Sequence, residues 1–167
     1  MMKHSPKLQK KYSQFSEKKR RLLQGDIIDW LKSDFGIEAR FIQADEAHYE
    51  NPSKYIASYD YLKDILTTMC CHKTEAKTVV RQFLSCLESE KIQGEGLIYV
   101  GNDKFGACWL SFEADRVNEV VEAMVSISNL QPGFELLVSA VGSSNILGIF
   151  EEEYEFVIGR CQRSINW

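Results

Sequence analysis

The chain has 167 residues, of which 44% are hydrophobic and 26% are charged, and this composition is close to that of an average soluble protein. Length and composition exclude collagen, a coiled coil and a wholly disordered chain, and no apolar run approaches the ~18 residues that a membrane-spanning helix needs. The net charge of −4 is unevenly distributed: residues 1–24 hold eight basic residues and one acidic residue, a net charge of +7, and the rest of the chain has a net charge of −11.

The N-terminal part of the sequence predicts a basic arm followed by a helix. Residues 1–15 are polar and predict a flexible basic arm, and we expect residues 16–167 to form a single α+β domain. Apolar residues recur at steps of three and four from about Ser16, which is typical of one face of a helix. Gly25 predicts a break in this helix, with Asp26 as a new N-cap, and Gly36 predicts its C-cap. Residues 37–43 predict a short strand.

Two more helices are predicted before the middle of the chain. Ser53 is a suitable N-cap for a second helix, and Thr74 for a third helix that Gly94 and Gly96 end. The apolar side of the second helix would consist of Ile56, Tyr59, Leu62, Ile65, Leu66 and Met69. The third helix would bury Val80, Phe83, Leu84 and Leu87.

The remainder of the sequence is mostly typical of β-structure. Residues 97–100 and 108–112 predict a hairpin, residues 115–127 a helix, and residues 134–140 a strand. Residues 146–150 and 154–158 predict a last hairpin. The fold class is therefore α+β, with N-terminal helices followed by a mainly antiparallel or mixed sheet of about five strands and one further helix. The strands before and after the last helix could form a parallel crossover.

The sequence contains few candidates for catalysis or metal binding. The three histidines form no i, i+4 pair and the cysteines form no Cys-x-x-Cys motif, so we expect no metal and no cofactor. Residues 45–48, Asp-Glu-Ala-His, match the acidic box of a class of helicases, but the chain lacks the phosphate-binding loop that this chemistry requires. The segment Cys70-Cys71-His72 is predicted at a helix C-terminus, where the dipole raises a thiol pKa. A small hydrolase or transferase that uses Cys71 or His72 stays an alternative.

Cysteine usage bears on the cellular compartment. The five cysteines are an odd number, and the N-terminus contains no apolar stretch of the kind that a secretory signal has. These features predict reduced thiols in a cytoplasmic protein. The cysteines are Cys70, Cys71, Cys86, Cys108 and Cys161.

The most distinctive segment of the sequence is an acidic cluster at the predicted last hairpin. It comprises Glu151, Glu152, Glu153, Tyr154, Glu155 and Phe156. Four like charges repel one another, so such a cluster is favourable when a cationic partner approaches, and a tyrosine in it can act as a rigid anchor. Glu151, Glu152, Glu153, Tyr154 and Glu155 are therefore the predicted partner-binding residues. The alternative is an ordinary solvated hairpin tip.

In size, acidity, mixture of helix and strand and acidic cluster, the chain resembles the bacterial immunity proteins of contact-dependent growth inhibition systems. The resemblance implies an inhibitor, not an enzyme, that covers the active site of a cognate toxin, such as a nuclease with a basic cleft. It implies no catalytic residues and no membrane partner. A regulatory or adaptor protein that binds nucleic acid through residues 1–24 is the other alternative, since clustered Lys and Arg displace counterions from phosphates.

Overall fold

The computed structural model of the chain describes residues 6–46, 49–52, 55, 62–70, 74–102, 106–128, 136–151 and 155–162. Its helices are α1 (Pro6–Phe35), α2 (Ala76–Glu90) and α3 (Val117–Ser128), and a 3₁₀ turn at Ala114–Arg116 leads into α3. Its strands are β1 (Ala39–Phe41), β2 (Leu62–Cys70), β3 (Glu95–Asn102), β4 (Gly106–Glu113), β5 (Leu136–Ala140), β6 (Asn145–Glu151) and β7 (Glu155–Gln162).

The strands form one sheet in the order β1-β4-β3-β5-β6-β7-β2, and every neighbouring pair is antiparallel. The α+β class is confirmed, but the expected five strands are seven, and the sheet is not mixed. Strands β4 and β5 do run in the same direction on either side of α3. They do not pair, because β3 lies between them and pairs antiparallel with both.

Helix α1 is longer than the sequence indicated. It begins at Pro6, ten residues before the predicted start, and continues through Gly25 without a break. A glycine inside a helix costs about 1 kcal/mol, but the packing of Leu23 and Ile27 against the core offsets this cost. Gly36 is confirmed as the C-cap, since it has a φ of +64° and its N–H bonds to the carbonyl of Lys32 at 3.1 Å.

The second predicted helix is wrong over its C-terminal half, because residues 62–70 form strand β2. This strand lies at the edge of the sheet and contains two bulges against β7, at Lys63 and at Leu66. A bulge adds one residue to a strand and shifts the alternation of its side chains. As a result, Leu62 and Ile65 lie on the same face of the sheet although they are three residues apart. Apolar residues three positions apart are also typical of a helix, which explains the wrong prediction. Residues 53–54 and 56–61 lie outside the described part of the chain.

The other predicted elements are confirmed with shifted ends. Helix α2 follows Glu75 as its N-cap residue, one position after the predicted Thr74, and Lys91 with a φ of 49° ends it before Gly94. The predicted hairpins are β3–β4 and β6–β7. Residues Ala39–Phe41 are the part of the predicted strand 37–43 that pairs, and they pair with β4.

The core lies on both faces of the sheet. The three helices cover one face, where Leu31, Phe83 and Val120 pack against alternate residues of the central strands. The other face holds Trp109 and other large residues and is covered by the segment after β1, which includes Tyr55. The indole Nε1 of Trp109 donates to the carbonyl of Glu50 at 2.6 Å and so fixes this segment to the sheet.

Candidate functional site

The strands of the C-terminal half bring several chain segments to one end of the sheet. Strand β7 begins at Glu155, which is opposite Cys70, the last residue of β2. Strand β6 ends at Glu151, and Leu136 at the start of β5 pairs with Ile149 two residues before it. We call the end of the sheet formed by Cys70, Leu136, Glu151 and Glu155 the acidic end.

The two described glutamates of the predicted binding cluster lie on opposite faces of this end. Phe156 packs against the helix-covered core, so Glu151, which is opposite it in the register, lies on the helix side. Glu155 precedes Phe156 and lies on the other face, because side chains alternate along a strand. Both glutamates are partly exposed. Glu152, Glu153 and Tyr154 lie outside the described residues.

Strand β2 exposes two apolar side chains near its middle. Ile65 is 51% exposed and Leu66 is 37% exposed, although both were predicted on the buried side of a helix. Ile65 is opposite Gly159, four residues along β7 from Glu155, which is a distance of about 13 Å along the strand. Sequence reasoning missed this pair. The run Ile65-Leu66-Thr67-Thr68, rich in β-branched residues, was the signal for a strand.

The first half of β2 is connected to its neighbours by ion pairs among three residues, Arg160, Asp64 and Glu90. The guanidinium of Arg160 on β7 donates to Asp64 Oδ2 at 3.1 Å and to Glu90 Oε1 from Nε at 3.0 Å. The hydrogen bond to Glu90 raises the pKa of Arg160, so the side chain stays charged. The Arg160 guanidinium on β7 thus connects the edge strand β2 with the end of α2.

A cleft in the described structure lies elsewhere, between α2 and α3. Its volume is about 570 Å³. Ser126 is its one hydroxyl-bearing lining residue, and the Oγ of Ser126 donates to the carbonyl of Ala123 at 2.7 Å within α3. The hydroxyl of Ser126 is therefore engaged within its own helix. The lining residues are Lys77, Val80, Arg81, Leu84, Glu122, Val125 and Ser126.

The candidate cysteine site is only partly within the described chain. Cys70 is an exposed residue at the end of a strand, so its prediction at a helix C-terminus is wrong. Cys71 and His72 lie outside the described residues. Burial raises the pKa of the Cys161 thiol to about 11 and, to a lesser degree, that of Cys86. Both thiols are therefore protonated at neutral pH and are poor nucleophiles.

The acidic box residue Glu46 has a structural role. Its carboxylate accepts hydrogen bonds from Arg40 at 2.9 and 3.0 Å and from the backbone N–H of Gln43 at 2.7 Å. These bonds close the turn after β1, as expected of a polar loop. His48 is outside the described chain.

Within the described ranges, no group of three or more His, Cys, Asp or Glu residues is placed to hold a metal ion, and no helix combines the length and apolarity needed to cross a membrane.

Comparison with known protein families, with curated proteins and with solved structures finds no match to this chain.

Proposed function

We propose that this protein is an inhibitor of the immunity type, which binds a cognate bacterial toxin, a nuclease with a basic cleft, and covers its active site. The observation that supports the proposal is that β7, which begins in the glutamate-bearing hairpin at Glu155, pairs with an edge strand that exposes Ile65 on the same face of the sheet, about 13 Å along the strand. The contact surface would comprise the acidic end together with Ile65 and Leu66. These two features give a patch that offers both charge and apolar area.

The two parts of this surface have different roles. Complementary charge speeds encounter with a basic cleft, and the carboxylates occupy the positions that substrate phosphates take. A nanomolar complex requires about −12 kcal/mol, whereas an exposed ion pair contributes about 0–1 kcal/mol. Burying the exposed halves of Ile65 and Leu66 contributes about 2 kcal/mol more. Apolar contacts close to the charged hairpin are therefore needed for tight binding.

The first experiment identifies the partner and its activity. The tagged protein captures the partner from cells, mass spectrometry identifies it, and the isolated partner is assayed for nucleic-acid cleavage with and without the protein. We expect stoichiometric inhibition. A captured partner with no toxic activity, or one whose activity is unchanged by saturating protein, would contradict the proposed function.

The second experiment tests the surface. Replacement of Glu151, Glu152, Glu153 and Glu155 by Gln should lower the association rate constant and flatten its dependence on salt, since steering depends on charge. Ile65→Ser with Leu66→Ser should mainly raise the dissociation rate. The matched control changes four exposed carboxylates away from the acidic end, at Glu38, Glu88, Glu113 and Asp115, to their amides. Equal association rates for the hairpin variant and this control would exclude the acidic end as the contact surface.

A further inference from the structure

The cleft between α2 and α3 has the size of a small-molecule site. Its volume is about 570 Å³, and sites that hold small ligands measure about 300–1,000 Å³. The residues that line it recur at steps of three and four on each helix, so they lie on one face of α2 and one face of α3. These residues are Lys77, Val80, Arg81 and Leu84 on α2, and Glu122, Val125 and Ser126 on α3.

The apolar lining of the cleft is continuous with the core. Val80 is 8% exposed and belongs to the core on the helix side of the sheet. Leu84 and Val125 are half-buried and pack against the same core. Side chains fixed in this way keep their positions before a ligand arrives, which reduces the entropic cost of binding. The cleft therefore offers a preformed apolar surface to the body of a ligand.

Two cations stand on the α2 side of this apolar surface. Lys77 and Arg81 are exposed and are four positions apart, so their side chains are neighbours on the helix. In the part of the chain that the structure describes, neither of them forms an ion pair or a hydrogen bond, although Glu122 lines the opposite wall. Two positive charges and one negative charge leave the described lining with a net charge of +1. The α2 wall is thus the positive side of the cleft.

We propose that this cleft binds a small amphipathic anion, an aliphatic carboxylate of the fatty-acid type. Its tail lies on Val80, Leu84 and Val125, and its carboxylate contacts Lys77 and Arg81. A guanidinium can bind a carboxylate through two parallel hydrogen bonds, and an apolar site with a few charged groups is the usual composition of a small-ligand pocket. This inference does not depend on the acidic end or on the proposed inhibition.

A helix of a partner protein fits the cleft less well than a small molecule. A helix docked in a groove uses apolar anchors at positions such as i, i+4 and i+7, which extend over about 10 Å. In the described lining, the apolar residues of α2 are Val80 and Leu84, which are about 6 Å apart along the helix axis. The apolar stretch therefore matches a single aliphatic tail better than a row of anchors.

Isothermal titration calorimetry of the full-length protein with decanoate tests the proposal. We expect saturable binding with a dissociation constant below about 1 mM, and a rise of the thermal unfolding temperature with decanoate concentration, because the ligand binds the folded state. Decylammonium has the same tail with the opposite charge and should bind at least about five-fold more weakly. Absence of saturable decanoate binding, or tighter binding of decylammonium, would overturn the proposal.

Two charge variants test the role of the α2 wall. Lys77→Gln with Arg81→Gln should weaken decanoate binding about five- to twenty-fold, because two charged contacts are lost. The matched control is Lys63→Gln with Lys91→Gln, which removes two exposed cations away from the cleft and should change affinity by less than about two-fold. Circular dichroism checks that α2 persists. Equal losses in the two double variants would contradict binding between Lys77 and Arg81.

The α3 wall gives two further tests with opposite signs. Glu122→Gln removes a negative charge that faces the ligand and should tighten decanoate binding about two- to three-fold. Ser126→Trp places a large side chain in the cleft and should weaken binding at least about ten-fold, since the tail loses its space. Unchanged affinity in Ser126→Trp would place the ligand elsewhere and overturn the proposal. A dimer of the unchanged protein that Ser126→Trp dissociates in analytical ultracentrifugation would assign the cleft to a second copy of the chain and also contradict it.

Discussion

Arg160 forms ion pairs with carboxylates on two other elements, Asp64 on β2 and Glu90 on α2. Its side chain is 24% exposed, and that of its partner Glu90 is 15% exposed. An ion pair in this partly buried setting is screened less than a surface pair. Removal of the cation leaves the Glu90 carboxylate partly desolvated without its hydrogen bonds, which is the costly outcome.

Arg160→Met should therefore lower the free energy of unfolding by about 1–2 kcal/mol, because the lost hydrogen bonds are charge-assisted and poorly solvated. Urea unfolding at neutral pH measures the effect. Lys32→Met is the matched control, since it breaks the ion pair of Lys32 with Glu38, in which both side chains are mostly exposed. We expect no measurable change there. If Arg160→Met loses no more unfolding free energy than the control, the ion pairs of Arg160 with Asp64 and Glu90 do not stabilise the attachment of β2 and α2.

Cys161 gives stability a dependence on alkaline pH. Its thiol is fully buried, and burial raises its pKa from 9.0 to about 11. The unfolded state therefore loses this proton first as the pH rises, and stability falls by about 1 kcal/mol between about pH 8 and about pH 10. The contribution is complete below the unfolded pKa and is lost as the pH rises through the folded one.

Cys161→Ala should remove this part of the pH dependence. The variant is less stable at every pH because of the cavity, but its loss between about pH 8 and about pH 10 should be smaller than that of the unchanged protein by about 1 kcal/mol. Chemical unfolding at several pH values measures how the free energy of unfolding depends on pH in each protein. The other titrating groups contribute equally to both proteins, so the difference reports on Cys161. Parallel curves for the two proteins would mean that the thiol is accessible to water in the folded state.

At the scale of elements, the attachment of β2 depends on a missing side chain on β7. A Cβ at Gly159 would lie 2.5 Å from Cδ2 of Leu62 and 3.1 Å from the backbone oxygen of Asp64, both on β2. The leucine methyl can rotate away, but the backbone oxygen moves only with the strand. The glycine therefore permits the close approach of the bulged part of β2.

Gly159→Ala should destabilise the fold by about 1–3 kcal/mol through this overpacking. The same substitution at Gly25 in α1 is the control, because a Cβ there meets no atom within 4 Å. Gly25→Ala should stabilise the protein by about 0.5–1 kcal/mol, since alanine favours the helix. Thermal and urea unfolding of both variants show whether Gly159→Ala lowers the free energy of unfolding and Gly25→Ala raises it. Equal effects at the two positions would contradict the register of β2 against β7.

The elements that the sequence predicts well are those with regular spacing. The steps of three and four in α2 and the alternation in β4 each match one period, and the structure has these elements at nearly the predicted positions. Strand β2 fails because its bulges at Lys63 and Leu66 break the period of two. Bulges are determined by pairing with a distant strand, which local sequence does not encode.

The candidate surface was likewise predictable only where its residues are close together in the sequence. The glutamates of the last hairpin were recognisable as a cluster because they are adjacent in the chain. Ile65 and Leu66 were not, because they reach the neighbourhood of Glu155 only through the pairing of β2 with β7. Likewise, the sheet order that places β2 at the edge depends on contacts between residues far apart in sequence.

At the scale of the whole molecule, opposite charges belong to different parts. The positive charge lies in the first 21 residues, and the remainder has a net charge of −11. Described packing of α1 on the core begins at Leu23, and the side chains described before it, Lys18, Arg21 and Leu22, are exposed.

A truncated chain that begins at Leu22 tests this division. Removal of residues 1–21 should change the free energy of unfolding by less than about 1 kcal/mol, because the side chains described in this segment, Lys18 and Arg21, are exposed. The helical signal in circular dichroism should nevertheless fall, because residues 6–21 belong to α1. Leu31→Ala is the comparison on the same helix: Leu31 is fully buried, and its truncation should cost about 3 kcal/mol. If the shortened chain is destabilised as much as the Leu31 variant, the N-terminal half of α1 is part of the folding unit.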